Sequence, residues 1–266
     1  MSVCKCALVF ALSLTLHAAD NQLTSAEKSA GWKLLFDGRT YAHWVDPTAR
    51  NPRGDSFTIE DGCLKSVPHP KITEDLFSAD SYTDFELEWD WKISTAGNSG
   101  VKYRIQKHVF LVEGRFPRFE DSVNASLEHP LSDRPAKGQD YVIGFEYQIT
   151  DNAKNPDATH NGPMHQAGAL YDIVAPSKDA TRPAGEWNHS RLVVKGDHVE
   201  HWVNGEKVVD TSLKGPAVEQ SMAKRWGKGS PVYDLLVNQP RTKCPISLQN
   251  HGDAAWFKNI KIRETQ

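Results

Sequence analysis

The sequence predicts an all-β sandwich, a jelly roll of two antiparallel sheets with a short N-terminal helix and long loops. Three observations carry this. Long runs alternate apolar and polar residues with period two, as half-buried strands do. Tight-turn pairs such as Asn204-Gly205 separate consecutive runs, marking hairpins. Little helix-period patterning lies between them, so parallel βαβ units are not expected. The chain has 266 residues, 39% of them hydrophobic and 24% charged. That is ample for one large core, expected over residues 28–264 as a single domain.

The elements follow in order. The opening MSVCKCALVFALSLTLHAAD has Lys5 before an apolar stretch from Ala7 to Leu16, then Ala18 and Ala19. This reads as a secretory signal peptide over residues 1–19, which predicts a secreted or periplasmic protein. Removing it takes away Cys4 and Cys6, leaving Cys63 and Cys244, whose spacing does not reveal whether they pair. Ser25 to Lys33 reads as a short helix, with Thr24 as cap and Glu27 closing the capping box. In Phe85–Ile93, Phe85, Leu87, Trp89, Trp91 and Ile93 alternate with Glu86, Glu88, Asp90 and Lys92. Val101, Tyr103 and Ile105 alternate with Lys102, Arg104 and Gln106; Tyr141 to Ile149 alternates likewise. Gly196-Asp197 and Asn204-Gly205 turn the runs Arg191–Lys195, Val199–Val203 and Lys207–Asp210, and Ile246–Gln249 and Trp256–Arg263 close the sheet. Phe116–Gln139 and Asp151–Gln166 read as long loops of the kind that carry function.

Composition excludes some partners. The formal net charge is −3, with no basic footprint for nucleic acid. No apolar run outside the leader suits a membrane, and the oligomeric state stays open. The period-two rule aims Glu146 and Gln148 to one side of their strand, with Phe145 and Tyr147 to the core. It also sets Lys102, Arg104 and Gln106 on one face, and makes Gln249 and His251 a further pair. Against these stands the plain alternative of a wet sheet face. Glu86, Glu88 and Asp90 form a carboxylate ladder, read as an outer solvated face rather than a glycosidase pair. His160 and His165 share a loop without zinc spacing. Trp187, Tyr171, Trp202 and Trp226 could stack on sugar rings or simply pack.

Ten short motifs occur in order: GWKLLFDG from Gly31 with Trp44; FTIEDGCL from Phe57; YTDFELEW from Tyr82; NSGV from Asn98 with Arg104; GFEYQ from Gly144; AGALY from Ala167; GEWN from Gly185; VNG from Val203; ISLQNHG from Ile246; FKNI from Phe257. Together they resemble the 3-keto-disaccharide hydrolase family. Phe57 stands where that family usually has Trp, and Asn250 where an acid or Gly is common. The resemblance implies a concanavalin A-like fold and action on sugars oxidised to a ketone at C3. Such a ketone acidifies the C2 proton, so a base can remove it and expel the C1 substituent, after which water adds back. It implies Glu146 as base or metal ligand, Arg104 at the enolate oxygen, and His251 or His165 as acid. Gln148, Asn98, Lys102, Tyr171, Trp187, Asn188 and Gln249 are the substrate-binding candidates. The one cofactor these residue types allow is a divalent metal ion on Glu146 with His165 or His160. The second reading, from a different class, is a non-catalytic carbohydrate-binding module.

Overall fold

The computed structural model describes residues 20–45, 55–112, 116–131 and 137–265. The expected signal peptide, residues 1–19, lies outside them. The strands in chain order are β1 Lys33–Leu34, β2 Trp44–Val45, β3 Phe57–Glu60, β4 Cys63–Ser66, β5 Ile72–Thr73, β6 Leu76–Ser78 and β7 Phe85–Ile93. They continue with β8 Asn98–Leu111, β9 Gly138–Thr150, β10 Asn188–Lys195, β11 His198–Val203, β12 Glu206–Ser212, β13 Ser247–Leu248 and β14 Ala255–Glu264. The helices are α1 Ser25–Ser29, α2 Phe119–Glu128, α3 Pro156–His160, α4 Pro216–Trp226 and α5 Pro231–Tyr233. One sheet runs β12-β11-β10-β7-β14-β4-β3, with β1 also paired to β14; the other runs β2-β6-β13-β8-β9-β5. All pairings are antiparallel except β5 with β9. The molecule is a two-sheet, all-β sandwich, and among the described residues no helix is long and apolar enough to cross a membrane.

Alternation explains the core. In β7 the buried residues are Phe85, Leu87, Trp89, Trp91 and Ile93. Tyr147 of β9 meets Trp89 and His201 of the opposite sheet, with ring centroids 4.9 and 4.6 Å away. Tyr147 therefore faces the other sheet, which sends its neighbours Glu146 and Gln148 to the opposite side of β9. Of the polar groups inside, Trp91 Nε1 donates to Ser190 Oγ at 2.7 Å and Tyr147 Oη to the Trp202 carbonyl at 3.0 Å, while Trp89 Nε1 has no partner. The ladder Glu86, Glu88, Asp90 lies on the outside of the larger sheet, paired in charge with Arg191, Arg263 and Lys261, while Asp90 lies 2.8 Å from His189 Nδ1.

Turn chemistry sets the hairpins. Asn204 and Gly205, with φ of 49° and 86°, make the turn between β11 and β12 that needs two left-handed residues. The capping box at Thr24 and Glu27 forms, and the helix it starts ends at Ser29. Two expectations need correction. The stretch Phe116–Gln139 contains α2, and Asp151–Gln166 contains α3 and a 3-10 turn, Pro163–His165. Helix α4 was also not expected from periodicity, although Val218, Met222 and Trp226 repeat every four residues along its buried side. Cys63 and Cys244 are both buried and free.

Candidate active site

Strands β8 and β9 pair so that Lys102 lies opposite Glu146 and Gly100 opposite Gln148. The Lys102 ammonium is 3.9 Å from Glu146 Oε2 and 3.7 Å from Asp75 Oδ2. Asp75 accepts from Ser247 Oγ at 2.9 Å. Gln249, after β13, donates its amide to Glu146 Oε2 at 3.3 Å. Gln148, oriented as its neighbours require, donates to Glu146 Oε1 at 3.1 Å and to the Ser99 carbonyl at 3.0 Å. Gly100 makes room for this carboxylate: a Cβ there would meet Glu146 Oε1 at 2.5 Å.

This face is roofed rather than wet. Lys102 and Gln148 are fully buried and the Glu146 side chain is only 13% exposed. Segment 167–174 runs along β9, with Tyr171 N donating to the Glu146 carbonyl at 3.0 Å. Burial pushes the Glu146 carboxyl up, and the Lys102 charge only partly opposes it, leaving its pKa at about 7. Burial also opposes the charge on Lys102, but Asp75 and Glu146 outweigh it and hold the ammonium above its ordinary range.

Tyr171, whose backbone holds the Glu146 carbonyl, meets a second charged group with its ring. His165 Nδ1 is 3.0 Å from Asp157 Oδ1, and its Nε2 is 3.5 Å from Asp172 Oδ1. These carboxylates raise the imidazole to about 9, so it is a cation at neutral pH. Tyr171 donates to Asp157 Oδ2 at 2.9 Å and presents its ring edge-on to His165. Arg225 of α4 covers the Tyr171 ring at 5.3 Å and pairs with Asp172 at 3.4 Å. The carbonyl oxygen of the Gln249 side chain, Oε1, is buried beside Glu146 without a partner. A buried orphan acceptor at a cleft calls for a donor from outside, such as a sugar hydroxyl.

The structure therefore brings together Glu146, Lys102, Gln148, Gln249, Tyr171 and His165. Asn98 lies next to them on β8, its backbone amide tied to Asp253 Oδ2 at 3.0 Å. His251 follows Gln249 and Asn250 after β13; its imidazole is desolvated even though the residue as a whole keeps exposed surface, and with the Lys102 charge adding it is held below the ordinary range, so it is neutral where His165 is charged.

Other candidates lie elsewhere. A bulge between Tyr103 and Lys107, with Arg104 at φ 51°, breaks the alternation of β8. Arg104 thus turns away from Lys102 and donates to the Thr242 carbonyl at 2.6 Å and to the Gly196 carbonyl. Gln106 likewise bonds the Arg241 backbone. Trp187 lies on the outer side of the larger sheet under Lys92 and Lys258, and Trp202 under Arg191 and Lys207. Asn188 holds backbone, accepting from Arg182 N at 2.7 Å.

A metal set does not assemble here. His160 is exposed at the end of α3, His165 faces two carboxylates, and Glu146 is surrounded by hydrogen-bond donors. Among the described residues one trio has metal-like spacing, His198, Glu200 and Asp210, and Lys207 already pairs with both of its acids.

Sequence reasoning missed Asp75, Asp157 and Arg225. For Arg225 the signal was the four-residue apolar repeat of α4 behind Pro216. Asp75 and Asp157 carry no such pattern, because only the fold brings them to Lys102 and His165.

The profile of the 3-keto-alpha-glucoside-1,2-lyase-like domain matches residues 31–263. The chain belongs to this family. It is similar to a 3-keto-disaccharide hydrolase of Bacteroides thetaiotaomicron, 28% identical over 264 residues, covering 94% of this chain and 84% of that protein. Among solved structures, a candidate glycosyl hydrolase of Parabacteroides distasonis superposes with TM-score 0.70 at 26% identity, covering 93% of this chain and 100% of that one. A second from the same organism gives TM-score 0.56 at 25% identity, with 88% and 99% covered. In this 3-keto-glucoside lyase-like chain, the matched segment contains every residue of the Glu146 cluster.

Proposed function

We propose that the protein cleaves the glycosidic bond of 3-keto-glycosides, 3-keto-disaccharides among them, by C2 proton abstraction. The observation that carries this is Glu146, a buried carboxyl of pKa about 7 held by two amides beside a buried lysine. A general base works best when its pKa lies near the operating pH. Glu146 takes the C2 proton, and the C–H electron pair delocalises onto the C3 oxygen as an enolate. Collapse of the enolate reforms the C3 ketone, makes a C1–C2 double bond and breaks the C1–O bond. The leaving oxygen takes a proton from His165, the cationic imidazole of the pair of candidate acids. Water then adds at C1, giving up a proton to the now neutral His165, and the Glu146 proton returns to C2, completing net hydrolysis with both groups restored; release before this step is the lyase outcome.

Lys102 takes the role first given to Arg104, as the positive charge nearest the base. The Gln249 Oε1 orphan receives a sugar hydroxyl. The family match and the hydrolase relative support the sugar chemistry. The strongly perturbed carboxyl favours an enzyme over a passive binder, which needs none. Export by the leader belongs to the same proposal, and N-terminal sequencing of protein recovered outside the cytoplasm checks it. The direct test is turnover of a 3-keto-disaccharide by wild type and by Glu146→Gln. A loss of at least about 100-fold is expected; unchanged turnover removes Glu146 from the mechanism.

A further inference from the structure

We propose that Asp172, anchored by Arg225, is a positioning residue for the acid His165, so that helices α4 and α2 serve departure of the leaving group. The assignment rests on the reading of His165 as the acid given above.

The turn 170–174 ties acid to base. Val174 N closes it by donating to the Leu170 carbonyl at 2.9 Å. Within the turn, Tyr171 N holds the Glu146 carbonyl, and Asp172 N donates to the Met164 carbonyl at 3.0 Å, one residue before His165. A single turn thus fixes the segment of the acid against the strand of the base. Asp172 has φ 59°, in the left-handed region that few residues other than glycine occupy. Backbone outliers of this kind gather at functional sites.

The Asp172 carboxylate is shared between two cations. Its Oδ1 lies 3.5 Å from His165 Nε2 and its Oδ2 lies 3.4 Å from Arg225 Nη1. Arg225 is itself well held. Its Nε lies 3.8 Å from Glu120 Oε1 of α2, and its guanidinium covers the rings of Tyr171 and Trp226 at 5.3 and 5.0 Å. Arg225 therefore fixes Oδ2, which leaves Oδ1 to set the Nε2 side of the imidazole. The two nitrogens of His165 are not held alike: Nδ1 lies 3.0 Å from Asp157, and Nε2 the longer 3.5 Å from Asp172. The proton on the more loosely held nitrogen is the easier one to give away. The Nε2–H bond breaks as an O–H bond forms on the leaving oxygen. The ring is left neutral with its proton on Nδ1 toward Asp157, and the attacking water later returns a proton to Nε2.

The test is kcat on two substrates that share the C2 step and differ in their need for an acid. Methyl 3-keto-glucoside loses an alkoxide, which needs a proton; nitrophenyl 3-keto-glucoside loses a stable phenolate, which does not. For Asp172→Asn, kcat on the methyl substrate is expected to fall about thirtyfold, and on the nitrophenyl substrate by less than about threefold. Asparagine also tolerates a left-handed backbone, and circular dichroism and Tm show that the variant folds. Arg225→Met is the second variant and is expected to show the same selective loss; the ratio of the two substrates cancels any effect of its charge on Glu146. Equal losses on both substrates, or no loss on the methyl one, in either folded variant overturns the assignment. His165→Gln separates this from the reading beneath it. A selective loss in His165→Gln without one in Asp172→Asn keeps the acid and removes the positioning role. Equal losses in His165→Gln overturn both, because the acid itself is then wrong. If wild type turns over neither substrate, the proposed function falls and the assignment with it.

Discussion

Glu146 is one carboxylate among many, and its neighbours make it different. Two amides hold it, a buried ammonium faces it, and burial raises it to about 7. The acidic limb of the kcat/KM–pH profile is therefore expected near pH 7, with activity rising as Glu146 loses its proton. Lys102 favours the ionised form, so Lys102→Met moves that limb to higher pH; a limb that stays or falls contradicts the assignment. Gly100 gives a steric prediction. An alanine there drives a methyl into Glu146, so Gly100→Ala is expected to lower kcat at least about tenfold, by misplacing the base. Its backbone is ordinary for an L-residue, so the Tm moves only a few degrees, which a thermal melt alongside the assay checks. At this scale the sequence was informative where alternation held: period two aimed Glu146 and Gln148 to one face of their strand and Lys102 to one face of another, and the pairing of β8 with β9 brings the two faces together. It was silent on Asp75 and Asp157, whose neighbours come from distant segments.

At the scale of elements, the β8 bulge decides most. Regular pairing would put Arg104 beside Lys102, two cations in one pocket. Two extra residues and a left-handed Arg104 turn it instead onto the carbonyls of Thr242 and Gly196, clamping the β10–β11 turn. Arg104→Met is expected to cost about 3 kcal/mol of stability, from losing charged hydrogen bonds in a buried place. The kcat/KM of the folded variant stays within about threefold of wild type. Urea unfolding with parallel kinetics checks both; a catalytic loss without destabilisation returns Arg104 to the site. The bulge was hard to read because Tyr103 to Gln106 keeps the apolar–polar pattern; Lys107, at an apolar position, is the one departure, and pairing with β9 reveals what it means. The strands themselves were legible from their alternation, β7 to the residue, and the hairpins from Asn-Gly chemistry. Helix α2 was not, since few of its residues are buried and its sequence carries many turn formers.

The whole molecule is a sandwich whose interior holds one neutral histidine. His201 is fully buried; its ring NH donates to the Gly168 carbonyl at 3.0 Å, and Tyr103 Oη donates to its other nitrogen at 3.0 Å. Desolvation depresses its pKa to about 4, from 6.5 in the unfolded chain. A depressed imidazole favours the folded state above pH 6.5, and that contribution is lost as pH falls from 6.5 through 4, because only the unfolded chain takes up the proton. The shift corresponds to about 3 kcal/mol. Wild type is expected to lose more stability over this window than His201→Gln, as read by urea unfolding at each pH; parallel slopes contradict it. His165 acts at the other end. Its pKa is raised to about 9, so its contribution is complete below 6.5 and lost as pH rises through 9. The fold thus keeps one histidine neutral in the core and one charged between Asp157 and Asp172.

The central claim is that Glu146 removes a proton from carbon next to a ketone. Deuterium uptake at C2 of a 3-keto-glycoside in D2O, followed by mass spectrometry, reads that step without waiting for bond cleavage. Wild type is expected to label C2 of substrate or product, and Glu146→Gln to do so at least about 100-fold more slowly. Labelling by the variant at the wild-type rate, or wild-type cleavage that leaves C2 unlabelled, contradicts the account.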